Sequence, residues 1–226
     1  MENNIIVTRL STSSWFKLVW NDLVIHFDPG YAGFFENQNT PLDELKQEAD
    51  YILISHPHKD HLREEVIKMI AANNTRIVCP KACSNSVFGS VEIVKPNSVL
   101  VFPKIEIEVV DAYNTPEGRS ERKYHHKGDF VGFIITIGNR RIYFAGDTDF
   151  IPEMRDFGHI DIAFLPIGGT YVMDHLEALE ATLTIKPDIL FPMHQAMTDM
   201  AAFEKLVEAK TNVNVINLFV GEKAIV

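Results

Sequence analysis

The stretch that decides the fold is DYILISHPHKDHL, residues 50–62, in which an apolar run leads directly into a cluster of histidines. The apolar run, residues 50–55, predicts a strand buried on both faces. Side chains alternate along an extended segment, so His56 and His58 point the same way while Pro57 points the other way. The two imidazoles therefore form a pair where the predicted strand ends.

A helix is predicted after this motif, over about residues 61–73, with Asp60 and His61 at its start. A carboxylate is favoured there by the exposed backbone N–H groups and by the helix dipole. The next segment, TRIVCP, again reads as a strand, which completes a β-α-β unit. The apolar residues of the predicted helix share one stripe: Leu62, Val66, Met69 and Ile70.

Imidazole and carboxylate groups together suit zinc, manganese or iron, and a catalytic site needs such ligands together with an open position for water. The alternative is a solvated polar loop. Four ligand-type residues in the order HxHxDH, directly after an apolar strand, favour the metal site.

Further candidate ligands lie at other strand-to-loop junctions, where rigid elements hold functional groups in place. His125 and His126 precede the predicted strand DFVGFIITI, Asp147 ends RIYFAGD, and His194 ends DILFPMH.

Hydrophobic periodicity predicts the remaining elements. Residues 14–28 look like a hairpin that turns at Asn21-Asp22. The predicted helices are residues 41–49, 174–185 and 198–210, and the later strands are residues 105–113, 161–169, 188–194 and 214–221. Many short strands with few helices suggest two packed sheets with helices outside. We predict one domain over residues 1–226, because no linker, charge block or repeat interrupts the chain.

The composition is that of an ordinary globular protein, with 46% hydrophobic residues and a formal net charge of -10. That charge argues against nucleic acid as a partner. The N-terminus has no basic region followed by a long apolar run, and no later stretch approaches a membrane span, so we expect a cytoplasmic protein without a membrane partner. Cys79 and Cys83 are expected to be free thiols.

The motifs resemble the metallo-β-lactamase superfamily over nearly the whole chain: HxHxDH, a histidine, an aspartate in a GDT turn, then a histidine. More narrowly, the segments around them look like a group of small metal-dependent hydrolases related to the ascorbate-6-phosphate lactonases. These segments are DAYNTPEGRSERKYHHKGDFVGF, YFAGDTDFIPEM, DIAFLPIGGTYVMD and KPDILFPMH.

The resemblance implies a four-layer αββα sandwich with a two-metal site. His56, His58 and a histidine of the 125–126 pair would hold one ion. Asp60, His61 and His194 would hold the other, and Asp147 would bridge the two. Asp28, in HFDPG, matches an aspartate behind the metal loop. Relatives usually have HPKG where this chain has HHKG, which favours His125 over His126.

Two divalent ions lower the pKa of a shared water towards about 7, so hydroxide exists at neutral pH, and they polarise the bond under attack. Asp60 is the natural proton acceptor. We therefore expect hydrolysis of an ester, lactone or phosphoester in a small-molecule substrate, with zinc favoured over manganese or iron. A nuclease of the same superfamily is the alternative, and a third is a protein that keeps the fold without hydrolysis.

A basic cluster, RSERKYHHK, lies beside the candidate ligand His125. It is either a solvated face or a region that attracts an anionic substrate. Gly168 and Gly169 predict a tight turn near the site, and His26, His159 and His175 are not expected to be ligands. The oligomeric state is left open, a homo-oligomer included. The candidate substrate-binding residues are Arg122, Lys123, His126, Lys127 and Thr170.

Overall fold

The structure, a computed structural model, describes residues 4–226. It divides into two compact units, of which the first runs to Val94 and also contains Leu218–Val226, while the second is Lys95–Asn217. The single domain predicted from the sequence stays a prediction.

The first unit contains a seven-stranded mixed sheet in the order β14-β1-β2-β3-β4-β5-β6. Strands β14, β1, β2 and β3 pair antiparallel, whereas β3 to β6 run parallel. The strands are β1 (Ile5–Arg9), β2 (Phe16–Trp20), β3 (Leu23–Phe27), β4 (Ala49–Leu53), β5 (Ala71–Pro80), β6 (Ser90–Val94) and β14 (Lys223–Ile225).

The predicted hairpin is confirmed as β2 and β3, which turn at Asn21 with a φ of 55°. Asparagine tolerates this left-handed conformation better than most residues. The predicted helix over residues 41–49 is wrong, because only a 3₁₀ turn forms at Leu42–Leu45 and β4 already begins at Ala49.

Helix α1 (Glu64–Ile70) connects β4 and β5 and confirms the predicted β-α-β unit. It is shorter than predicted at both ends, because Arg63 N donates to Pro29 O at 3.1 Å before the helix begins and β5 already starts at Ala71. Val66 and Ile70 are buried as predicted, but Met69 is 52% exposed, so its predicted place on the buried stripe is wrong. Ile67 is buried in its place.

The second unit contains another seven-stranded sheet, in the order β13-β12-β11-β10-β9-β8-β7. Strands β7 to β10 pair antiparallel, and β10 to β13 run parallel. The strands are β7 (Val99–Phe102), β8 (Ile105–Asp111), β9 (Val131–Ile137), β10 (Arg140–Phe144), β11 (Ile162–Pro166), β12 (Ile189–Met193) and β13 (Asn214–Val215).

Three phenylalanines cross the parallel part of this sheet. Phe144 pairs in register with Phe164, and Phe164 with Phe191, at ring-centroid distances of 6.1 and 5.0 Å. Aromatic pairs of this kind stabilise by about 1 kcal/mol each beyond the area that they bury. They fix the ends of β10 and β12, from which Asp147 and His194 follow.

Helices α2 (His175–Ile185) and α3 (Met200–Glu208) confirm the two later predicted helices. Each begins after an aspartate whose carboxylate accepts hydrogen bonds from two backbone N–H groups, Asp174 for α2 and Asp199 for α3. The strand predicted over residues 214–221 is wrong beyond Val215, because the chain leaves the second unit after Asn217. Among residues 4–226 we find no helix with the length and apolar character of a membrane span.

Candidate metal centre

The first ligand group, His56, His58, Asp60 and His61, lies in the loop that follows β4. His56 and His61 are fully buried, and their ring centroids are 3.9 Å apart. The ring of His58 is perpendicular to that of His56 at a centroid distance of 4.6 Å. The loop thus packs three imidazoles against one another, as the alternation of the strand predicts for the first two.

Backbone hydrogen bonds close this loop into a tight turn. The N–H groups of His61 and Leu62 both donate to His58 O at 2.9 Å. Gly30 packs against the turn so closely that a Cβ at residue 30 would lie 2.5 Å from the backbone nitrogen of His61. The glycine of HFDPG is therefore required for the position of His61.

Asp28 lies behind the loop, fully buried, and accepts hydrogen bonds from Ser55 N at 2.7 Å and Ser55 Oγ at 2.6 Å. Its second oxygen also lies 2.7 Å from His61 Nδ1. Burial raises the pKa of Asp28, and the contact with His61 opposes that rise. The φ of Asp28 is 44°, an uncommon conformation outside glycine that places the carboxylate beneath the loop.

Ser55, which the sequence analysis did not single out, sets the tautomer of His56. A serine hydroxyl has one hydrogen, and the Asp28 carboxylate accepts it, so at 2.8 Å from His56 Nδ1 the hydroxyl oxygen is the acceptor. His56 then carries its hydrogen on Nδ1 and presents the Nε2 lone pair. A metal-ligating histidine is usually held in this way.

The second ligand group, His125, Asp147 and His194, belongs to the second unit. Asp147 Oδ2 lies 3.4 Å from His125 Nε2 and 3.6 Å from His194 Nε2. Asp147 follows β10, His194 follows β12, and His125 precedes β9. The structure therefore brings together three residues that are far apart in sequence, at the junctions where they were predicted.

His125 is buried and oriented by Asn114, a residue that the sequence analysis also missed. Asn114 Oδ1 accepts a hydrogen bond from His125 N at 2.9 Å and lies 3.1 Å from His125 Nδ1. The amide nitrogen of Asn114 donates to Asp149 and to Tyr171 O, which fixes the side chain. His126 is exposed, so the geometry favours His125 as the ligand.

His194 has a φ of 47°, and its carbonyl oxygen lies against Gly168. A Cβ on Gly168 would come within 2.3 Å of that oxygen. The turn predicted at Gly168 and Gly169 thus leaves space for the backbone of His194, whose left-handed conformation positions the imidazole.

We expect Gly168→Ala to weaken zinc binding about 10- to 100-fold, because the added methyl group displaces the backbone of His194. Competition with a chromogenic chelator measures the zinc affinity. Gly89→Ala is the control. A Cβ there meets nothing within 4 Å, and the φ of +85° strains the alanine backbone, so this variant should lose stability but keep its zinc affinity. Equal zinc affinities for the two variants would contradict this account of Gly168.

The spacing of the donor atoms fits a divalent ion. Two ligands each about 2.1 Å from a tetrahedral ion lie about 3.4 Å from one another. The measured separations are 3.4 and 3.6 Å around Asp147, and 3.5 Å between His61 Nε2 and Asp60 Oδ2. Because Nδ1 of His56, His61 and His125 each meets an oxygen of the protein, Nε2 is the nitrogen that would coordinate an ion in all three.

A family model described as a beta-lactamase superfamily domain matches residues 7–194. The chain belongs to the metallo-β-lactamase superfamily. It is 32% identical to a UPF0173 metal-dependent hydrolase from Desulforamulus reducens, over 92% of this chain and 95% of that protein. A protein of the same name from Archaeoglobus fulgidus is 31% identical, over 91% and 93% of the two chains.

The fold of the superfamily is also found in a solved structure, the metallo hydrolase Igni18 from Ignicoccus hospitalis. The TM-score is 0.80 at 24% identity, covering 99% of this chain and 98% of that one. The predicted fold class is confirmed, with two mixed sheets and few helices. The protein is a metal-dependent hydrolase of the metallo-β-lactamase superfamily.

Most arginine and lysine side chains of the basic cluster, residues 119–127, form ion pairs with carboxylates. Lys123 Nζ donates to Asp149 Oδ2 at 2.9 Å and to the carbonyl of Gly118 at 2.7 Å. Arg119 and Lys127 also form ion pairs, with Asp174 and Glu153 respectively. Arg122 is exposed and lies beside the ring of Tyr171.

His26, which is not expected to be a ligand, is a buried histidine of the core. Its Nδ1 accepts a hydrogen bond from Trp15 Nε1 at 3.0 Å, and burial lowers its pKa to about 3 from 6.5, with Lys17 adding to the effect. His159 is exposed and lies near Asp161 and Asp188, while His175 begins α2.

The lowered pKa of His26 makes stability depend on pH in a defined direction. Between pH 6.5 and about 3 the unfolded chain binds a proton at His26 and the folded chain does not. The stability that neutral His26 contributes is fully present above pH 6.5. As the pH falls below 6.5, this contribution to the free energy of unfolding decreases by about 1.4 kcal/mol per pH unit. We expect His26→Gln, which keeps an acceptor for Trp15, to reduce that dependence.

Urea unfolding of the metal-free protein at pH 7 and pH 5 tests this expectation. His26→Gln should lose about 2 kcal/mol less than the wild type over that interval. His175→Gln, at the exposed start of α2, is the control and should behave as the wild type. Parallel losses in all three proteins would contradict the assignment.

Proposed function

We propose that the protein hydrolyses an ester, lactone or phosphoester bond in a small, anionic substrate with two bound divalent ions. Zinc is the metal that we favour. The ligands proposed are those that the superfamily resemblance implies: His56, His58, Asp60, His61, His125, Asp147 and His194. When bound, such ions lower the pKa of water and polarise the bond under attack.

The observation that supports the proposal best is that the candidate histidines are held by their Nδ1 atoms. Ser55 holds His56, Asp28 holds His61, and Asn114 holds His125. Histidines that only fill space in a core do not need an oxygen partner at Nδ1, yet all three of these histidines have one. Orientation of this kind is the usual mark of a metal-ligating imidazole.

We propose Asp60 as the proton acceptor of the reaction. Its side chain is 26% exposed, whereas that of the adjacent His61 is fully buried, so a substrate and a water molecule can reach the Asp60 carboxylate. Water adds to the carbonyl carbon or to phosphorus, and Asp60 accepts its proton. The C–O or P–O bond to the leaving group then breaks, and the leaving oxygen takes up that proton from Asp60.

Among the candidate substrate-binding residues, the contacts favour Arg122. The ammonium groups of Lys123 and Lys127 already neutralise Asp149 and Glu153, whereas the Arg122 guanidinium is exposed. Charge reversal at Arg122 should therefore raise KM for an anionic substrate and leave neutral esters unchanged. His126 and Thr170 stay proposed contacts, since both belong to segments beside Arg122.

Metal reconstitution followed by a substrate panel tests the proposal. Purified protein loaded with zinc, manganese or iron is assayed for metal content and for hydrolysis of lactones, phosphodiesters and thioesters, with Asp147→Ala as the blank. We expect about two equivalents of metal. Less than one equivalent, with activity unchanged in each His-to-Ala variant, would contradict the proposal.

A labelled RNA at low salt separates this function from that of a nuclease. We expect no cleavage, because a chain with a net charge of -10 disfavours binding to a phosphate backbone. Metal-dependent turnover of the RNA would make the nuclease the better assignment. We likewise propose no membrane partner.

A further inference from the structure

The segment that leads to His125 presents alternate side chains to opposite sides. Lys123 reaches the buried Asp149 and His125 is buried, whereas Arg122 and Tyr124 are exposed. Alternation of this kind is the ordinary consequence of an extended backbone. Backbone bonds fix the segment, since Arg122 N donates to Thr170 O at 2.8 Å.

Two tyrosines stack on the outer side of this segment. The rings of Tyr124 and Tyr171 have centroids 5.5 Å apart and planes inclined by 29°. Tyr124 is 55% exposed. The guanidinium of Arg122 lies 5.8 Å from the centroid of the Tyr171 ring, and its Nη1 is 3.5 Å from the Tyr171 hydroxyl. An aromatic surface and a cation thus stand side by side.

The position of this surface relative to His125 is fixed. Tyr124 directly precedes His125, so their Cα atoms are about 3.8 Å apart. Tyr171 O accepts a hydrogen bond at 2.9 Å from Asn114 Nδ2, and the same Asn114 holds His125 through its oxygen. A group bound on the tyrosines would therefore be held against the segment that carries His125.

We propose that Arg122, Tyr124 and Tyr171 form a substrate-binding surface, here called the tyrosine platform, for a flat aromatic or heteroaromatic group that carries a negative charge nearby. The proposal rests on the proposed function and deepens it, because it names the substrate class: a small aryl ester or aryl phosphoester. Aromatic rings prefer offset stacking on the exposed face of a tyrosine, and arginine pairs well with carboxylate or phosphate.

Binding of two non-hydrolysable ligands to the zinc-loaded protein tests this inference. Benzylphosphonate carries a ring and ethylphosphonate does not, while their anionic groups are the same. Titration calorimetry should show that the wild type binds benzylphosphonate at least about 10-fold more tightly. Tyr171→Leu should reduce that preference to within about 2-fold, and Tyr171→Phe should keep it, because the ring does the stacking.

The charge and the ring are tested separately. Arg122→Met should weaken both phosphonates by a similar factor, of about 10-fold, because both carry the anion. Phe219→Leu removes an exposed aromatic side chain of the first unit and should change neither affinity. Thermal unfolding of each variant checks that the substituted protein is folded.

The outcomes also distinguish the platform from the proposed function. Hydrolysis of the substrate panel without any preference for benzylphosphonate would overturn the platform alone. A ring preference that depends on Tyr171, found in a protein without hydrolytic activity, would support the platform and contradict the proposed function. Binding of single-stranded RNA that depends on Tyr171, without binding of either phosphonate, would also overturn the proposal, since stacked tyrosines with arginine can hold bases.

Discussion

Asp147→Ala is expected to remove bound metal and to lower kcat/KM by about 1,000-fold, equivalent to about 4 kcal/mol of transition-state stabilisation. The carboxylate faces the Nε2 atoms of His125 and His194 at 3.4 and 3.6 Å, so its loss leaves two imidazoles without the shared anion between them. Metal content by plasma mass spectrometry and turnover of the best panel substrate measure the two effects.

Asp156→Ala is the matched control for Asp147→Ala. Asp156 is exposed in the 3₁₀ turn Pro152–Asp156, so its removal should leave metal content and kcat/KM within about 2-fold of the wild type. If the Asp147 variant retained its metal and its activity, Asp147 would not be a metal ligand and the proposed ligand set would be wrong.

Asp28→Ala is expected to have the second largest effect, on stability and on metal affinity together. The carboxylate accepts hydrogen bonds from Ser55 N, Ser55 Oγ and His61 Nδ1, all of them buried. Leaving buried donors without an acceptor costs about 1–3 kcal/mol each when no water replaces it. Alanine also tolerates the φ of 44° poorly. We expect the variant to unfold at markedly lower urea concentration.

Asp28→Asn separates the two effects, because asparagine accepts the left-handed conformation and keeps one oxygen acceptor. Its stability should lie between those of the wild type and the alanine variant. Its zinc affinity should still fall about 10- to 100-fold, because the negative charge that raises the basicity of His61 is lost. Zinc affinity equal to that of the wild type would show that Asp28 supports only the fold.

The sequence predicts well those features that depend on local pattern. The buried strand before His56, the hairpin at Asn21 and the helices α2 and α3 all follow from hydrophobic periodicity and from the turn pair Asn21-Asp22. The second ligand group was also predicted from the sequence, because its members stand at strand ends and match the superfamily motifs in order.

The supporting residues could not be predicted in the same way. Ser55 and Asn114 are ordinary polar residues in sequence, and they matter only because folding brings each one beside a particular Nδ1 atom. Gly168 was predicted as a turn, but its close approach to the carbonyl of His194 depends on β11 and β12 lying side by side. No local pattern encodes such contacts.

The errors have physical causes that lie outside the local pattern. Helix α1 begins three residues later than predicted because a hydrogen bond to Pro29 competes for the backbone of Arg63. The last predicted strand ends at Val215 because the chain passes from one unit to the other, which an apolar run cannot reveal. Tertiary contacts override local preference in both cases.

The closure of the first sheet by β14 has a consequence for synthesis. β14 pairs with β1, and the buried guanidinium of Arg9 donates to the carbonyl of Leu218 at 3.0 Å. Residues up to Val94 therefore leave the ribosome well before the partners that complete their sheet, while Lys95–Asn217 form a unit continuous in sequence. We expect the first unit to become fully protected only once residues 218–226 have emerged, whereas the second unit needs no residue beyond Asn217 to complete its sheet.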